Sequence, residues 1–76
     1  MEIGINDYFV IKNAELYPDN KLMIYNRWGN LIYQTTNYKN DWDGSDKEEG
    51  TYYYIFIPST VDSSIPSQKG YVTILR

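Results

Sequence analysis

The chain has 76 residues, with seven basic and ten acidic side chains, a net charge of −3, and neither Cys nor His. The missing Cys excludes disulfides and thiolate metal sites, and the missing His removes the usual general base and commonest metal ligand. The basic residues are scattered, which argues against nucleic acid as a partner, and no apolar run approaches the roughly 20 residues that insertion into a membrane requires.

The first half of the chain predicts one strand, one loop and one hairpin. In residues 7–11, Phe9 and Ile11 would share one face of a strand. Pro18 opens the turn signature Pro-Asp-Asn in the loop that follows. The apolar runs 22–25 and 31–33 then flank a polar segment that contains Gly29 and Asn30. These two residue types adopt positive φ at low cost, so the pattern predicts a β-hairpin.

The hairpin turn consists of Asn26, Arg27, Trp28, Gly29 and Asn30, and two of these residues are not required by a tight turn. Trp28 could fold back as a lid on one sheet face, with Arg27 in a local ion pair. Alternatively, Arg27 and Trp28 are displayed to a partner. Trp and Arg are the residue types most often found at binding hot spots. We therefore expect the turn to form part of a recognition surface.

The second half predicts a core tryptophan and two further strands. Residues 34–40 are polar and predict a loop or an edge strand, after which Trp42 enters the core. Residues 51–58, TYYYIFIP, give the strongest strand signal, because β-branched and aromatic side chains run unbroken up to a proline. A Ser- and Pro-rich loop separates this strand from the last one, predicted over residues 70–76.

The last strand runs to the end of the chain and could lie at a sheet edge. Val72 and Ile74 should face the core, whereas Tyr71, Thr73 and Leu75 should line the other side. Unpaired backbone groups at such an edge could bind a partner strand. We therefore count Tyr71 and Thr73 among the recognition residues.

Together these elements predict an all-β fold: a small immunoglobulin-like antiparallel β-sandwich of about six to seven strands, as a single domain over residues 1–76. Gly50, Tyr52 and Tyr54 have the spacing of a tyrosine corner, in which the first Tyr hydroxyl bonds nearby backbone. The expected core comprises the large apolar side chains of the predicted strands together with Trp42: Phe9, Ile11, Leu22, Ile24, Ile32, Trp42, Tyr52, Tyr54, Phe56, Val72 and Ile74.

No arrangement of residues points to catalysis. The serines lie in loops without a candidate base, and no glycine-rich phosphate loop is present. The carboxylate pairs Asp41/Asp43 and Glu48/Glu49 would need a cleft for which a domain of this size has little room. An EF-hand calcium loop that began at Asp41 would need Gly at its sixth position, where the chain has Asp46. We therefore predict no enzyme activity, no metal and no cofactor.

Five motifs occur in an order that resembles one protein family: Gly4-Ile5-Asn6-Asp7 with Phe9, Ile24 to Asn30 with Ile32-Tyr33, Asn40 to Gly44, Gly50 to Tyr54, and Lys69 to Val72. Together they resemble the gliding motility-associated C-terminal domain of Bacteroidetes proteins, also described as the type B C-terminal sorting domain of the type IX secretion system. NRWG, WDG and GTYYY are the specific motifs. The WDG and GTYYY motifs alone also resemble the immunoglobulin-like domains of flagellar hook-capping proteins. The family usually begins with a longer acidic loop, PNGDGIND, so the first loop is truncated or replaced here.

The resemblance implies a non-catalytic C-terminal targeting domain that directs a larger secreted or surface protein through the periplasm. Its partners would be the type IX secretion machinery at the outer membrane and an N-terminal passenger protein. The alternative is a carbohydrate-binding or adhesion β-sandwich module, because Trp28, Tyr33, Tyr38 and Tyr53 could stack on sugar rings. We expect structural roles for the residues of the WDG and GTYYY motifs: Trp42, Asp43, Gly44, Gly50, Tyr52 and Tyr54.

Overall fold

The structure is a computed structural model that describes residues 2–4, 7–45 and 47–75. These residues contain five strands, β1 Glu2–Ile3, β2 Lys21–Tyr25, β3 Leu31–Thr36, β4 Gly50–Ile57 and β5 Gln68–Ile74. The strands form one sheet in the order β1-β5-β4-β2-β3, in which β1 is parallel to β5 and the other pairs are antiparallel. The all-β prediction is confirmed. The helical structure among the described residues consists of one 3₁₀ turn, Ala14–Leu16. None of the described residues form a helix long and apolar enough to cross a membrane.

The predicted hairpin is confirmed and is formed by β2 and β3. Leu22 and Ile24 are buried, while the alternate residues of β2 are half-buried on the opposite side. The β2–β3 register pairs Ile24 with Tyr33 but Tyr25 with Leu31. The residue between Leu31 and Tyr33 is therefore an extra one, which makes a β-bulge next to the turn.

The central strand β4 divides the molecule into a core face and an outer face. Tyr52, Tyr54 and Phe56 point to the core face, and Tyr53 points to the outer face. The Tyr52 hydroxyl donates a 2.8 Å hydrogen bond to the Glu48 carbonyl, as the tyrosine-corner spacing predicts. Tyr54 is half-buried rather than fully buried, and its ring lies over the backbone of β5 at Gly70. A Cβ added at Gly70 would approach that ring to 2.8 Å.

The predicted second sheet is replaced, in the described residues, by irregular chain over the core face, residues 7–13 and 37–45, which we call the irregular layer. The expected strand over residues 7–11 is wrong, because one isolated backbone hydrogen bond and two side-chain hydrogen bonds, rather than a backbone ladder, hold this segment. Phe9 N–H donates to the Trp42 carbonyl at 2.8 Å, and Ile11 N–H donates to Asn40 Oδ1 at 2.9 Å. The Tyr38 hydroxyl donates to the Phe9 carbonyl and accepts from Trp42 N–H. Asn40 has a positive φ of 59°, which interrupts the extended chain.

The core lies between the sheet and this irregular layer, and it contains most of the predicted residues. Of those, Ile32 and Tyr54 are only partly buried. Three buried hydrophobic residues were not predicted: Ile3, Ala14 and Tyr38. The pattern of apolar residues therefore predicted most of the core, including Phe9, Ile11 and Trp42 of the irregular chain, but missed Ile3 of the two-residue strand β1 and two residues outside the strands.

A fully buried Asn20 joins the 3₁₀ turn to the irregular layer. Its Nδ2 donates to the carbonyls of Tyr17 at 2.8 Å and Ala14 at 3.3 Å, and its Oδ1 accepts from Tyr38 N–H at 2.8 Å. The sequence assigns Asn20 only to a turn. In the structure it is a polar anchor whose side chain satisfies three backbone groups.

Of the two possibilities considered for the last strand, the structure excludes a position of β5 at a free sheet edge. The edge strands are β1 and β3, and β1 pairs with β5 at Thr73 and Ile74. Leu75 N–H donates to the Ile3 carbonyl at 2.8 Å. Because backbone donors alternate sides along a strand, Thr73 N–H also faces β1. The strand β1 has only two residues, which is too short for its alternation to be recognised in the sequence.

Candidate recognition surface

The hairpin turn is held by Asn26. Its Oδ1 accepts from the N–H groups of Trp28 at 3.0 Å and Asn30 at 2.9 Å, and its carbonyl accepts from Gly29 N–H at 3.0 Å. Gly29 has a φ of +82°, which favours glycine. The geometry of the turn thus depends on Asn26 and Gly29. The side chains of Arg27 and Trp28 have no part in it.

Arg27 and Trp28 form a stacked pair on the surface. The Trp28 side chain is 69% exposed, and the Arg27 Cζ lies 4.3 Å from the centre of its ring. The interpretation of Trp28 as a lid on the sheet is therefore wrong. A cation–π contact at an exposed site contributes about 0.5–1 kcal/mol, enough to favour the stacked arrangement. Glu48 and Glu49 line the same small hollow as this pair.

The outer face carries a row of aromatic and apolar residues across four strands, which we call the tyrosine row: Leu31, Tyr25, Tyr53 and Tyr71. Tyr25 lies opposite Tyr53, and Tyr53 lies opposite Tyr71. Leu31 continues the row onto β3. With neighbouring strands about 4.7–4.9 Å apart, the row spans roughly 14 Å. Tyr53 and Tyr71 are 50% and 59% exposed.

The turn and the tyrosine row belong to one surface. Arg27 and Gly29 line the same shallow depression as Tyr53, Tyr71 and Lys69. The structure therefore brings Arg27 and Tyr71 together, although 44 positions separate them in the numbering of the chain. Thr73 lies apart from this depression, in the next row, where it pairs with Thr51 and Glu2.

The motif residues with expected structural roles lie around the core instead. The Trp42 ring centre is 5.9 Å from that of Tyr33 and 6.5 Å from that of Tyr52. Asp43 Oδ1 accepts from Ser45 N–H at 2.9 Å. Gly44 has a φ of +65°, and a Cβ there would lie 2.6 Å from Ile74 Cδ1. Gly50, at the start of β4, has a φ of +145°.

Two of the four aromatic residues proposed for sugar stacking are not available. Tyr33 packs against Trp42 on the core face, and Tyr38 is buried. Trp28 and Tyr53 remain exposed. Alternation along β2 would have pointed to Tyr25 as a further outward residue. The strand register that aligns it with Tyr53 could not be obtained from one sequence.

The ionisable groups with shifted pKa values lie away from this surface. Burial raises the pKa of the Tyr38 hydroxyl to about 12, and burial together with Asp41 raises the pKa of Tyr33. Hydrogen bonds from Ser64 lower the pKa of Asp62. Among the described residues, no group of three or more His, Cys, Asp or Glu side chains could hold a metal ion. The outer face itself exposes aromatic and basic side chains, which are common at binding surfaces.

The chain has no significant match among curated proteins and none among solved structures. The profile of the CHU_C family, described as the type IX secretion signal domain, matches residues 2–74. This match includes the NRWG, WDG and GTYYY motifs, both faces of the sheet and the irregular layer. The chain belongs to the family of type IX secretion signal domains.

Proposed function

We propose that this domain is a non-catalytic C-terminal targeting signal, which directs an N-terminal passenger protein through the periplasm and the type IX secretion machinery at the outer membrane. The passenger would be secreted or displayed on the cell surface of a member of the Bacteroidetes. The observation that carries the proposal is the family match over residues 2–74. A small β fold that exposes aromatic and basic side chains on its outer face and hairpin turn supports a role in recognition.

The proposal is tested by fusing the domain to the C-terminus of a fluorescent passenger that carries a signal for export to the periplasm. We expect the fusion in the medium or on the surface of cells that have the type IX system. In a strain that lacks the system, we expect it to stay in the periplasm. A passenger without the domain is the control. Equal export from both strains would contradict the proposal.

We further propose that the hairpin turn is part of the surface that the machinery recognises. The support is that Arg27 and Trp28 are exposed in a turn whose geometry they do not determine. The variant Arg27→Ala should fold normally and export its passenger poorly. Lys39→Ala removes an exposed cation from the irregular layer and is the matched control. Normal export by a folded Arg27→Ala variant would exclude Arg27 as a contact.

The alternative function is binding of carbohydrate, and the exposed tyrosine row gives it some support. Exposed aromatic rings on a sheet can stack on sugar rings. A glycan array separates the two functions. Specific glycan binding by a domain that does not direct export would favour the alternative.

A further inference from the structure

We propose that the outer face docks an acidic protein surface, which packs apolar side chains against the tyrosine row and places carboxylates beside Arg27 and Lys69. The inference rests on the proposed function, because the partner would be a component of the secretion machinery. It goes further by extending the recognition surface from the turn across the sheet and by stating the chemistry of the partner.

The first support is the apolar character of this face. The irregular layer covers the core face, whereas on the outer face three members of the tyrosine row are exposed and the fourth, Tyr25, is half-buried. A second row next to it contains Met23 and Ile55, which are half-buried and directly opposed. Tyr and Trp are enriched in the buried centres of protein interfaces. Contiguous exposed apolar surface of this kind marks a site of interaction.

The second support is the distribution of charge. Lys21 of β2 and Lys69 of β5 point to the outer face, and Arg27 lies at the border of the same face. Among the described residues of the strands and the hairpin turn, Glu2 is the one acidic residue on this side. The chain as a whole has a net charge of −3. Three of the seven basic residues of the chain therefore lie on or beside the face that also exposes the aromatic residues, and Glu48 and Glu49 line a hollow beside one of them, Arg27.

This distribution identifies the partner. Two copies of the domain that met through their outer faces would bring Arg27 and Lys69 of one copy against the same cations of the other. Such like-charge contacts oppose association. A neutral sugar carries no negative charge with which these cations could pair. A protein surface with carboxylates around an apolar centre complements both features, because charge complementarity guides orientation and apolar contact supplies affinity.

The test uses matched charge reversals in the fusion protein. Arg27→Glu with Lys69→Glu reverses two cations on the outer face. Lys12→Glu with Lys39→Glu makes the same change in charge on exposed lysines of the irregular layer. We expect the outer-face double variant to reduce export at least about tenfold, the loss in affinity that removal of a hot-spot contact produces, and the control to export normally. Circular dichroism and thermal unfolding of the isolated domains should show that both variants fold.

A second pair of variants tests the apolar contribution. Tyr53→Thr with Tyr71→Thr shortens two exposed side chains while keeping residues with high β propensity. We expect a similar loss of export and no change in oligomeric state on size exclusion. If the unmodified domain directs export and these variants do so equally well, the docking inference is wrong and the proposed function stands. An equal loss in the Lys12/Lys39 control would also overturn it, since location on the outer face would then not matter. If the unmodified domain does not direct export, the proposed function itself fails.

Discussion

Replacement of Asn20 by Ala should be among the most damaging single changes in this domain. The amide side chain makes three hydrogen bonds, two of them buried, to backbone groups of Ala14, Tyr17 and Tyr38. Each contributes about 0.5–1.5 kcal/mol net, and a buried donor left without a partner costs about 1–3 kcal/mol. We therefore expect a loss of about 2–4 kcal/mol. A domain of this length has a total stability of roughly 4–11 kcal/mol, so the loss is a large share of it.

The measurement is urea unfolding followed by far-ultraviolet circular dichroism and by tryptophan fluorescence. Because 1 kcal/mol shifts the midpoint by about 4–8 °C in a domain of this size, thermal unfolding should show a decrease of roughly 10–30 °C. Gln34→Ala removes an exposed amide from β3 and should change stability by less than about 0.5 kcal/mol. A loss below about 1 kcal/mol in Asn20→Ala would refute the assignment of Asn20 as a polar anchor.

Three further changes test other parts of the fold. Gly44→Ala should cost about 2–4 kcal/mol in thermal unfolding, because it places a Cβ at positive φ and 2.6 Å from Ile74 Cδ1; an unchanged midpoint would contradict this. The raised pKa of Tyr38, about 12, means that its contribution to stability is fully present below pH 10 and is lost as the pH rises toward 12. The free energy of unfolding, measured by urea titration, should therefore fall less between pH 9 and pH 11 in Tyr38→Phe than in the unmodified domain. Equal falls would show that ionisation of Tyr38 does not cause the loss. Thr73→Pro should destabilise the domain by pressing its ring against β1, and an unchanged denaturation midpoint would show that this pairing contributes little.

The sequence predicted the parts of the fold that are determined locally. The β2–β3 hairpin follows from alternation in Leu22 and Ile24 and from a turn that needs Gly29. The strand β4 follows from its run of aromatic and β-branched residues. The tyrosine corner at Tyr52 follows from its spacing. In each case the decisive residues lie within a few positions of one another.

The parts that could not be predicted depend on distant partners. Phe9 and Ile11 alternate as strand residues do, yet Tyr38 and Asn40, 29 positions away, hold them through side-chain hydrogen bonds. The same limit applies to the recognition surface. Arg27 was identified from its unusual place in a turn, whereas its neighbours from β4 and β5 depend on a strand register that one sequence does not specify.

The central claim is that this folded domain is an address for the type IX secretion system, and the most direct measurement is the extracellular fraction of a fluorescent passenger. Four samples are required: the passenger with and without the domain, each in cells with and without the secretion system. The proposal predicts a high extracellular or surface-bound fraction only where domain and system are both present. A passenger that leaves the cell equally well without the system, or stays in the periplasm despite an intact system and a folded domain, would contradict it.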